Sequence, residues 1–311
     1  MPRSLPLLLG LAQVLVVLVL VWVELAEPPS QPGLKGFIFP NAVSSEGATN
    51  AMRLYRTKLS WLPFVGADDV LSIEPYQWAR RIGFVLLAAL QLAALWVVTR
   101  EDRPSIRRWV IGPAVSVLCL LLYPPINTDV FYYASVGQVA NKGGNPYFVS
   151  PKAFGPNVFD KYSDWEQITV PYGPIWVWIS RIIDWVTSSS PFWSSFLFKF
   201  LLGVSALGLA YVTARLAHRL NGDRRREVLA FVLVAWSPIV LYESAGTAHL
   251  DPLLMLVALS GLLLLTSPRR GAIRGGLLVI ALSALLKLVT APLVGAAALV
   301  RLTRRDEAMR T

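Results

Sequence analysis

The feature that most constrains this chain is the recurrence of apolar runs, separated by short segments in which the arginines collect. Crossing a bilayer as a helix takes about 20 apolar residues, fewer where neighbours protect a short helix. That length, applied along the chain, marks residues 5–26, 82–98, 109–123, 192–217, 228–242, 250–266 and 275–302. The last run is too long for one span. Lys287 and Pro292 interrupt it, so it divides into 275–286 and 289–302 with a turn near Lys287. The first run follows a lone Arg3, as a signal peptide would, yet its apolar core is long and no small-residue cleavage site follows, so it reads as a retained span. Hydrophobic residues make up 55% of the 311 positions and charged residues 15%, the balance of a chain whose main solvent is lipid. The expected fold class is an all-α integral membrane protein with about eight transmembrane helices.

The formal charge of +10 would suggest a nucleic-acid partner in a soluble protein. Here the arginines lie between apolar runs, which suits positive-inside anchoring and excludes nucleic acid. The arginine-bearing segments 100–108, 215–226, 269–274 and the tail from Arg301 are therefore expected in the cytoplasm of a multi-pass cell-membrane protein. Both termini then lie inside, and two long loops, 27–81 and 124–191, lie outside. Residues 172–186, YGPIWVWISRIIDWV, look like another span, but counting them as one would carry Arg219 and the Arg224, Arg225, Arg226 triplet across the membrane. Their Trp176, Trp178 and Trp185, with Arg181 and Asp184 interposed, fit an outer juxtamembrane helix lying among headgroups. A re-entrant packing helix without a catalytic part is the other reading. One cysteine, Cys119, and two histidines, His218 and His249, leave no disulfide framework and no thiolate or multi-histidine zinc site.

Chemistry-bearing residues concentrate in two places. After the third run stands YPPINTDVFYYASVGQVANKGGNPY, residues 123–147, where two prolines end the helix and Asp129 follows within about one turn. A carboxylate held near the apolar boundary has its proton affinity raised and can act as a general base towards an acceptor hydroxyl. Asp129 also precedes the helix-compatible run 130–140, so an N-cap role fits the same spacing. Downstream, Gly143, Gly144 and Pro146 make a tight turn that returns Tyr147 to the surface. In the second place, ESAGTAHLDP at 243–252, Glu243, His249 and Asp251 cluster at the outer membrane boundary. Ionisable groups at that depth are expensive and read as functional by default, although Asp251 before Pro252 also suits a helix start and Glu243 a surface carboxylate. Lys199 and Lys287 are isolated cations on the outer side. Lone lysines there often only snorkel; with Arg181 they could instead neutralise a lipid-linked phosphate. Asp68 and Asp69 in the first outer loop read as a solvated turn.

In this order the segments TDVFYYASVGQVANKGGNPY, VPYGPIW, WSPIVLYESAGTAHLDPLLM and LLKLVTAPL resemble the GT-C membrane glycosyltransferases, most closely the polyprenol-phosphate-mannose-dependent α-1,6-mannosyltransferases. The likeness runs over about 109–302. It implies a GT-C-like catalytic module at 109–302 with its outer loop at 124–191; the apolar runs and arginines place two N-terminal transmembrane helices with a long outer loop before it, at 1–108, and a basic cytoplasmic tail after it, at 303–311. It also implies that Asp129 is the catalytic aspartate, that Tyr172, Gly173 and Pro174 open the juxtamembrane helix, and that Lys287 is a membrane-edge lysine. Taken with the isolated charges, the expected site has Tyr133, Asn145, Tyr147, Tyr172, Glu243, His249 and Asp251 binding acceptor or donor, and Lys199, Lys287 and Arg181 holding the donor phosphate. The implied partners are a polyprenyl-phosphate-linked sugar, an acceptor glycan or glycolipid, and membrane lipid, with no cofactor and no metal. Enzymes of this kind generally continue through further spans or a soluble outer domain, whereas this chain stops at Thr311. A shortened member, a truncated product, or a second membrane subunit supplying the remainder would each fit. Two other classes stay open: a transporter, against which stands the absence of matched interrupted helices in two halves, and a non-catalytic subunit that binds the carrier lipid.

Overall fold

The computed structural model describes residues 4–26, 46–62, 65, 73–125 and 127–297, with the side chains of 73–77 and Arg270 excepted. The Asp68–Asp69 pair, residues 298–302 of the last expected run and the basic tail lie outside the described residues. Among those described, every regular element is helical. The α-helices are α1 Leu5–Ala26, α2 Glu46–Lys58, α3 Ile73–Arg100, α4 Ile106–Trp109, α5 Ile111–Leu120, α6 Asp129–Asn141, α7 Pro151–Phe154, α8 Pro174–Thr187, α9 Pro191–Asn221, α10 Arg224–Ala235, α11 Pro238–Leu241, α12 Asp251–Leu265 and α13 Arg270–Ala284. A further short apolar helix occupies Leu288–Ala297.

Three described helical stretches are long and apolar enough to cross a membrane: Leu5–Leu25, Trp78–Arg100 and Pro191–Asn221. A fourth span results if Arg224–Ala235 and Pro238–Gly246, bent by 53°, count as one. The bend has a local cause. Pro238 has no amide hydrogen to continue the helix, and Ser237 ahead of it accepts a hydrogen bond from the Val240 amide, so a new helix starts there. Other apolar runs are shorter than expected or broken. Asp251–Leu265, Gly271–Ala284 and Leu288–Ala297 each fall below spanning length on their own. Within the run 109–123 the helix α5 covers only Ile111–Leu120, Trp109 being the last residue of α4. Within 27–81, expected as one loop, the described residues include α2 and the first turns of α3.

The long helix α9 is the central post, touching α5, α6, α8, α10 and α12. Its buried face runs through Phe198, Lys199, Leu202, Ala206, Ala210 and Ala214, and the three alanines let neighbours approach closely. α1 packs between α3 and α5. On one side of α9 the helix α6 is enclosed all round, with every residue from Val130 to Val139 buried. Tyr133 of α6 lies 5.0 Å from the Trp176 ring of α8 and 5.7 Å from the Phe198 ring of α9, and aromatic contacts of this kind add about 0.5–1.5 kcal/mol each beyond burial. Gly137 makes the α6–α8 crossing possible, because a Cβ there would run into the Ser180 carbonyl. α2 covers the same assembly: Tyr55 bonds Ser195 of α9 at 2.9 Å, and Gly47 lies against the Tyr162 carbonyl and the Thr128 methyl.

The crossing supplies a direct check. Gly137→Leu should destabilise the fold by about 1–3 kcal/mol or more, as overpacking does, lowering the thermal midpoint in detergent. An unchanged midpoint would show that α6 and α8 are not so closely apposed.

Candidate active site

The start of α6 sets the first half of the site. After Pro124 and Pro125 the chain turns, and the Asp129 amide donates to the Asn127 side-chain oxygen at 3.1 Å. Thr128 stands at the N-cap position but makes no side-chain cap. Its hydroxyl instead donates to Asp164 Oδ2 at 2.8 Å. The Asp129 carboxylate is thus in the first helical turn, where the helix dipole favours a negative charge, and it faces the site rather than capping.

The second half comes from the chain after α11. Instead of ending, that helix widens into a π-helical turn, Tyr242–Gly246, a device often found at functional sites. Ala248 follows in the left-handed region at φ 63°, and the His249 amide donates to the Glu243 carbonyl at 2.7 Å. These turns swing His249 between two carboxylates. Its Nδ1 lies 3.7 Å from Asp129 Oδ2 and its Nε2 3.0 Å from Glu243 Oε2, while the Asn127 amide nitrogen stands 2.5 Å from the same Nε2. All three ionisable side chains keep between a fifth and about a quarter of their surface open, 20% for Asp129 and 27% each for His249 and Glu243.

Burial raises the pKa of Asp129 above the usual aspartate value, and the Glu243 charge adds to the rise; His249, an indole hydrogen bond from Trp165 and Lys287 pull the other way without cancelling it. For His249, burial acts downward, but the Glu243 hydrogen bond and the charges of Glu243, Asp129 and Asp251 outweigh it, and the net shift is upward. A base with raised proton affinity next to a readily charged imidazole is suited to proton transfer.

Beside this row, Lys287 Nζ donates to Asp251 Oδ1 at 3.1 Å. Both side chains are partly exposed, 35% and 55%, and exposed pairs of this kind are worth only about 0–1 kcal/mol. An incoming phosphate could therefore take Lys287 from Asp251 at little cost. Lys287 sits in an extended break between α13 and Leu288–Ala297, and the same break receives the start of α8. Gly173 and Ile175 donate their amides to the Leu286 and Leu285 carbonyls at 2.8 and 3.1 Å, an approach so close that Gly173 has no room for a Cβ. Tyr172 is thereby set edge-on to Tyr133, ring centroids 5.3 Å apart. Burial raises the Tyr172 hydroxyl to about 12, against a Tyr133 hydrogen bond that lowers it and with the charges of Asp129 and Asp251 adding to the rise.

The structure thus brings together Asp129, Tyr133, Tyr172, Glu243, His249, Asp251 and Lys287. It places the other expected residues elsewhere. Lys199, expected at the donor phosphate, is wholly enclosed. It donates to the Leu121 carbonyl at 2.9 Å and to that of Tyr123, with its ammonium over the Tyr55 ring at 4.9 Å. It bolts α9 to the end of α5, satisfying carbonyls that a helix terminus leaves unpaired, and has no free face for a phosphate. Arg181 reaches Asn141 at 3.3 Å and stacks on Trp178 at 4.6 Å. Asn141 closes α6, about 18 Å from Asp129 by helical rise, so Arg181 belongs to the opposite end. Asn145 and Tyr147 lie beyond that same end, in a turn where Asn145 Oδ1 accepts the Tyr147 amide at 3.1 Å. Sequence reasoning missed Asn127, Thr128, Asp164 and Trp165. Asn127 was visible beside Asp129 but reads as a turn residue after two prolines; Asp164 and Trp165 approach only through tertiary folding. Among the described residues no three His, Cys, Asp or Glu side chains converge as a metal site would require.

Comparison with known proteins bears on this geometry. Residues 47–303 match the family model described as alpha-(1->6)-mannopyranosyltransferase, N-terminal domain, a stretch that begins in α2, well before 109. An alpha-(1->6)-mannopyranosyltransferase of Mycobacterium tuberculosis is 28% identical over 151 residues, 47% of this chain and 25% of that protein. The alpha-(1->6)-mannopyranosyltransferase A of Corynebacterium glutamicum is 27% identical over 162 residues, 50% of this chain and 31% of that protein. The match thus spans about a quarter to a third of the length of these curated relatives. No solved structure matches the chain.

With only two histidines in the chain, the central imidazole can be watched directly. Nuclear magnetic resonance of histidine-labelled protein, assigned with His218→Gln, should show His249 titrating above the ordinary value of about 6.5, and Glu243→Gln should lower that midpoint. A His249 midpoint at or below the ordinary value would contradict the carboxylate–imidazole–carboxylate row.

Proposed function

The chain belongs to the alpha-(1->6)-mannopyranosyltransferase family, whose N-terminal domain it matches over residues 47–303, and on that premise we propose that it is a glycosyltransferase moving mannose from a polyprenyl-phosphate donor to an acceptor glycan or glycolipid on the outer face of the cell membrane. The observation that carries this reading is the Asp129–His249–Glu243 row standing beside the Lys287–Asp251 pair.

In the proposed reaction an acceptor hydroxyl attacks the anomeric carbon of the donor sugar as Asp129 takes the hydroxyl proton. The new glycosidic bond forms on the face opposite the departing oxygen, so the configuration inverts, and the bond to the lipid phosphate breaks. Lys287 exchanges Asp251 for the phosphate and stabilises the charge that develops on it. His249 holds the Asp129 carboxylate in place and, when charged, keeps it ionised. A lipid monophosphate leaving group is neutralised by lysine in this scheme, with no metal taking part. Tyr133 and Tyr172 form the apolar wall against which the sugar or carrier rests.

The topology that serves this reaction is the one the arginine distribution favours. Both termini and the segments 100–108, 215–226 and 269–274 face the cytoplasm, while α6 to α8 and the row around His249 face outward. Eight crossings follow if α12, α13 and Leu288–Ala297 pass the bilayer as short helices shielded by neighbours. The lipid tail would enter sideways between helices, as its length requires.

The test uses the purified full chain, labelled polyprenyl-phosphate-mannose and a mannoside acceptor. Asp129→Asn should cut transfer by about 100-fold or more, the usual weight of a general base, and Lys287→Met should do likewise without altering membrane insertion. Transfer undiminished in Asp129→Asn would refute the assignment of the base. Label that moves across the bilayer without a new glycosidic bond would point to transport instead.

A further inference from the structure

Asn127 stands between the two halves of the site, and each end of its side-chain amide has a different partner. Oδ1 accepts the Asp129 amide at 3.1 Å, a turn closed two residues ahead in the manner usual for asparagine. The first amides of a helix have no partner within it, and Thr128 at the N-cap position gives its hydroxyl to Asp164 instead. Asn127 is thus what satisfies the start of α6. Turning its amide over would set NH2 against N–H and leave the Asp129 amide unpaired, so the main chain decides which end faces which way.

The other end, Nδ2, is 2.5 Å from His249 Nε2. An amide NH2 only donates, and the carboxylate oxygen Glu243 Oε2, 3.0 Å from the same ring nitrogen, only accepts. One nitrogen cannot satisfy both. Without a proton, Nε2 takes a hydrogen from Asn127; with one, it donates to Glu243 and opposes Asn127. Neither neighbour readily gives way, since Asn127 is held by the Asp129 amide and Glu243 Oε2 accepts the Thr247 hydroxyl at 3.2 Å. Asp129 faces the opposite ring nitrogen, and Asp251, with Lys287 paired to it, adds its charge. The three carboxylates favour a charged ring, and Asn127 opposes them.

We propose that Asn127 is a positioning residue for the base: one end of its amide fixes the Asp129 main chain, and the other keeps His249 Nε2 free of a proton, so that the neutral imidazole carries its proton on Nδ1, the nitrogen 3.7 Å from Asp129 Oδ2. In that tautomer the ring presents an N–H to Asp129 and takes no proton from it, so the proton drawn from the acceptor hydroxyl stays on Asp129 through the transfer. The proposal rests on the glycosyl-transfer reading above and adds to it the residue that sets the tautomer of the imidazole.

Nitrogen-15 resonance of the histidine-labelled full chain, assigned with His218→Gln, reports the tautomer without any substrate. Above the His249 midpoint the wild type should carry the proton on Nδ1, whereas an unconstrained histidine favours Nε2. Asn127→Ser keeps an oxygen for the Asp129 amide and loses the reach to His249. In it the proton should move to Nε2, facing Glu243, and the His249 midpoint should rise by about one pH unit, the weight of one hydrogen bond lost from the neutral form. In steady-state transfer with labelled polyprenyl-phosphate-mannose and a mannoside acceptor, Asn127→Ser should lower kcat about tenfold and leave both KM values within about twofold. Asn127→Ala, which also loses the turn, should show the same tautomer and a lower kcat still. A wild-type proton on Nε2, or a tautomer unmoved in Asn127→Ser, would overturn the proposal, and so would a midpoint that falls, because Asn127 would then support the charged ring. The expected tautomer, moving as stated in Asn127→Ser, in a wild-type protein that transfers no mannose would support the role of Asn127 and sink the glycosyl-transfer reading.

Discussion

An imidazole held between two carboxylates at the margin of an apolar body organises much of this molecule. Removing water from Asp129 and Glu243 raises the cost of their charges, and His249 between them offsets that cost. To put His249 there the chain needs the Pro238 break, the π-helical turn and the left-handed residue Ala248, all concentrated between α10 and α12. To put Asp129 there it needs α6 to begin at one position, directly after Thr128. The enclosure of α6 by α2, α8, α9 and the 163–168 loop follows from that requirement, because a helix whose first residue must be placed to within an ångström has to be gripped along its length.

The scaffold beneath relies on a second set of charges centred on Glu24 and Lys199, both fully enclosed. Glu24 of α1 takes the Tyr123 hydroxyl at 2.6 Å and the Arg80 guanidinium of α3 at 2.8 Å. Lys199 of α9 holds the carbonyls at the end of α5. Both arrangements converge on the last turn before Pro124, the segment that delivers Asn127, Thr128 and Asp129. Removing one partner of such a buried arrangement typically costs about 3–5 kcal/mol, so the position of the 127–129 segment is backed by interactions far stronger than the exposed Lys287–Asp251 pair. The rigid charges fix the place of Asp129; the weak pair leaves Lys287 free to change partners.

Helical character, the arginine-bearing loops and the two chemical segments were legible because apolar length, prolines and isolated charges leave marks in one dimension. Asp129, His249 and Lys287 stood out for that reason, and the turn at Lys287 and the helix opening at Pro174 are where the sequence puts them. Lys199 was misread because an isolated lysine near a helix start looks the same whether it faces a phosphate or the end of another helix. Arg181 was misread because nearness in sequence to Tyr172 hides the length of α8, which carries it to the other end of α6. The bend at Pro238 shows a related limit, since hydropathy registers apolar length and is nearly blind to a break within it. Asp164 carries no local signal at all; only tertiary folding sets it against Thr128.

The account stands on the Asp129 carboxylate being on the side of the membrane opposite the arginine-rich turns. Membrane-impermeant maleimide labelling of intact cells tests this most directly, with Cys119 replaced by Ala and a single cysteine placed either at the exposed position 145, in the loop that α6 leads into, or at the exposed position 226 in the first turn of α10. Labelling of 145 in intact cells, with 226 reacting only after permeabilisation, is the predicted result. The reverse pattern, 226 open from outside and 145 protected, would put the base on the wrong face and contradict the mechanism built on it.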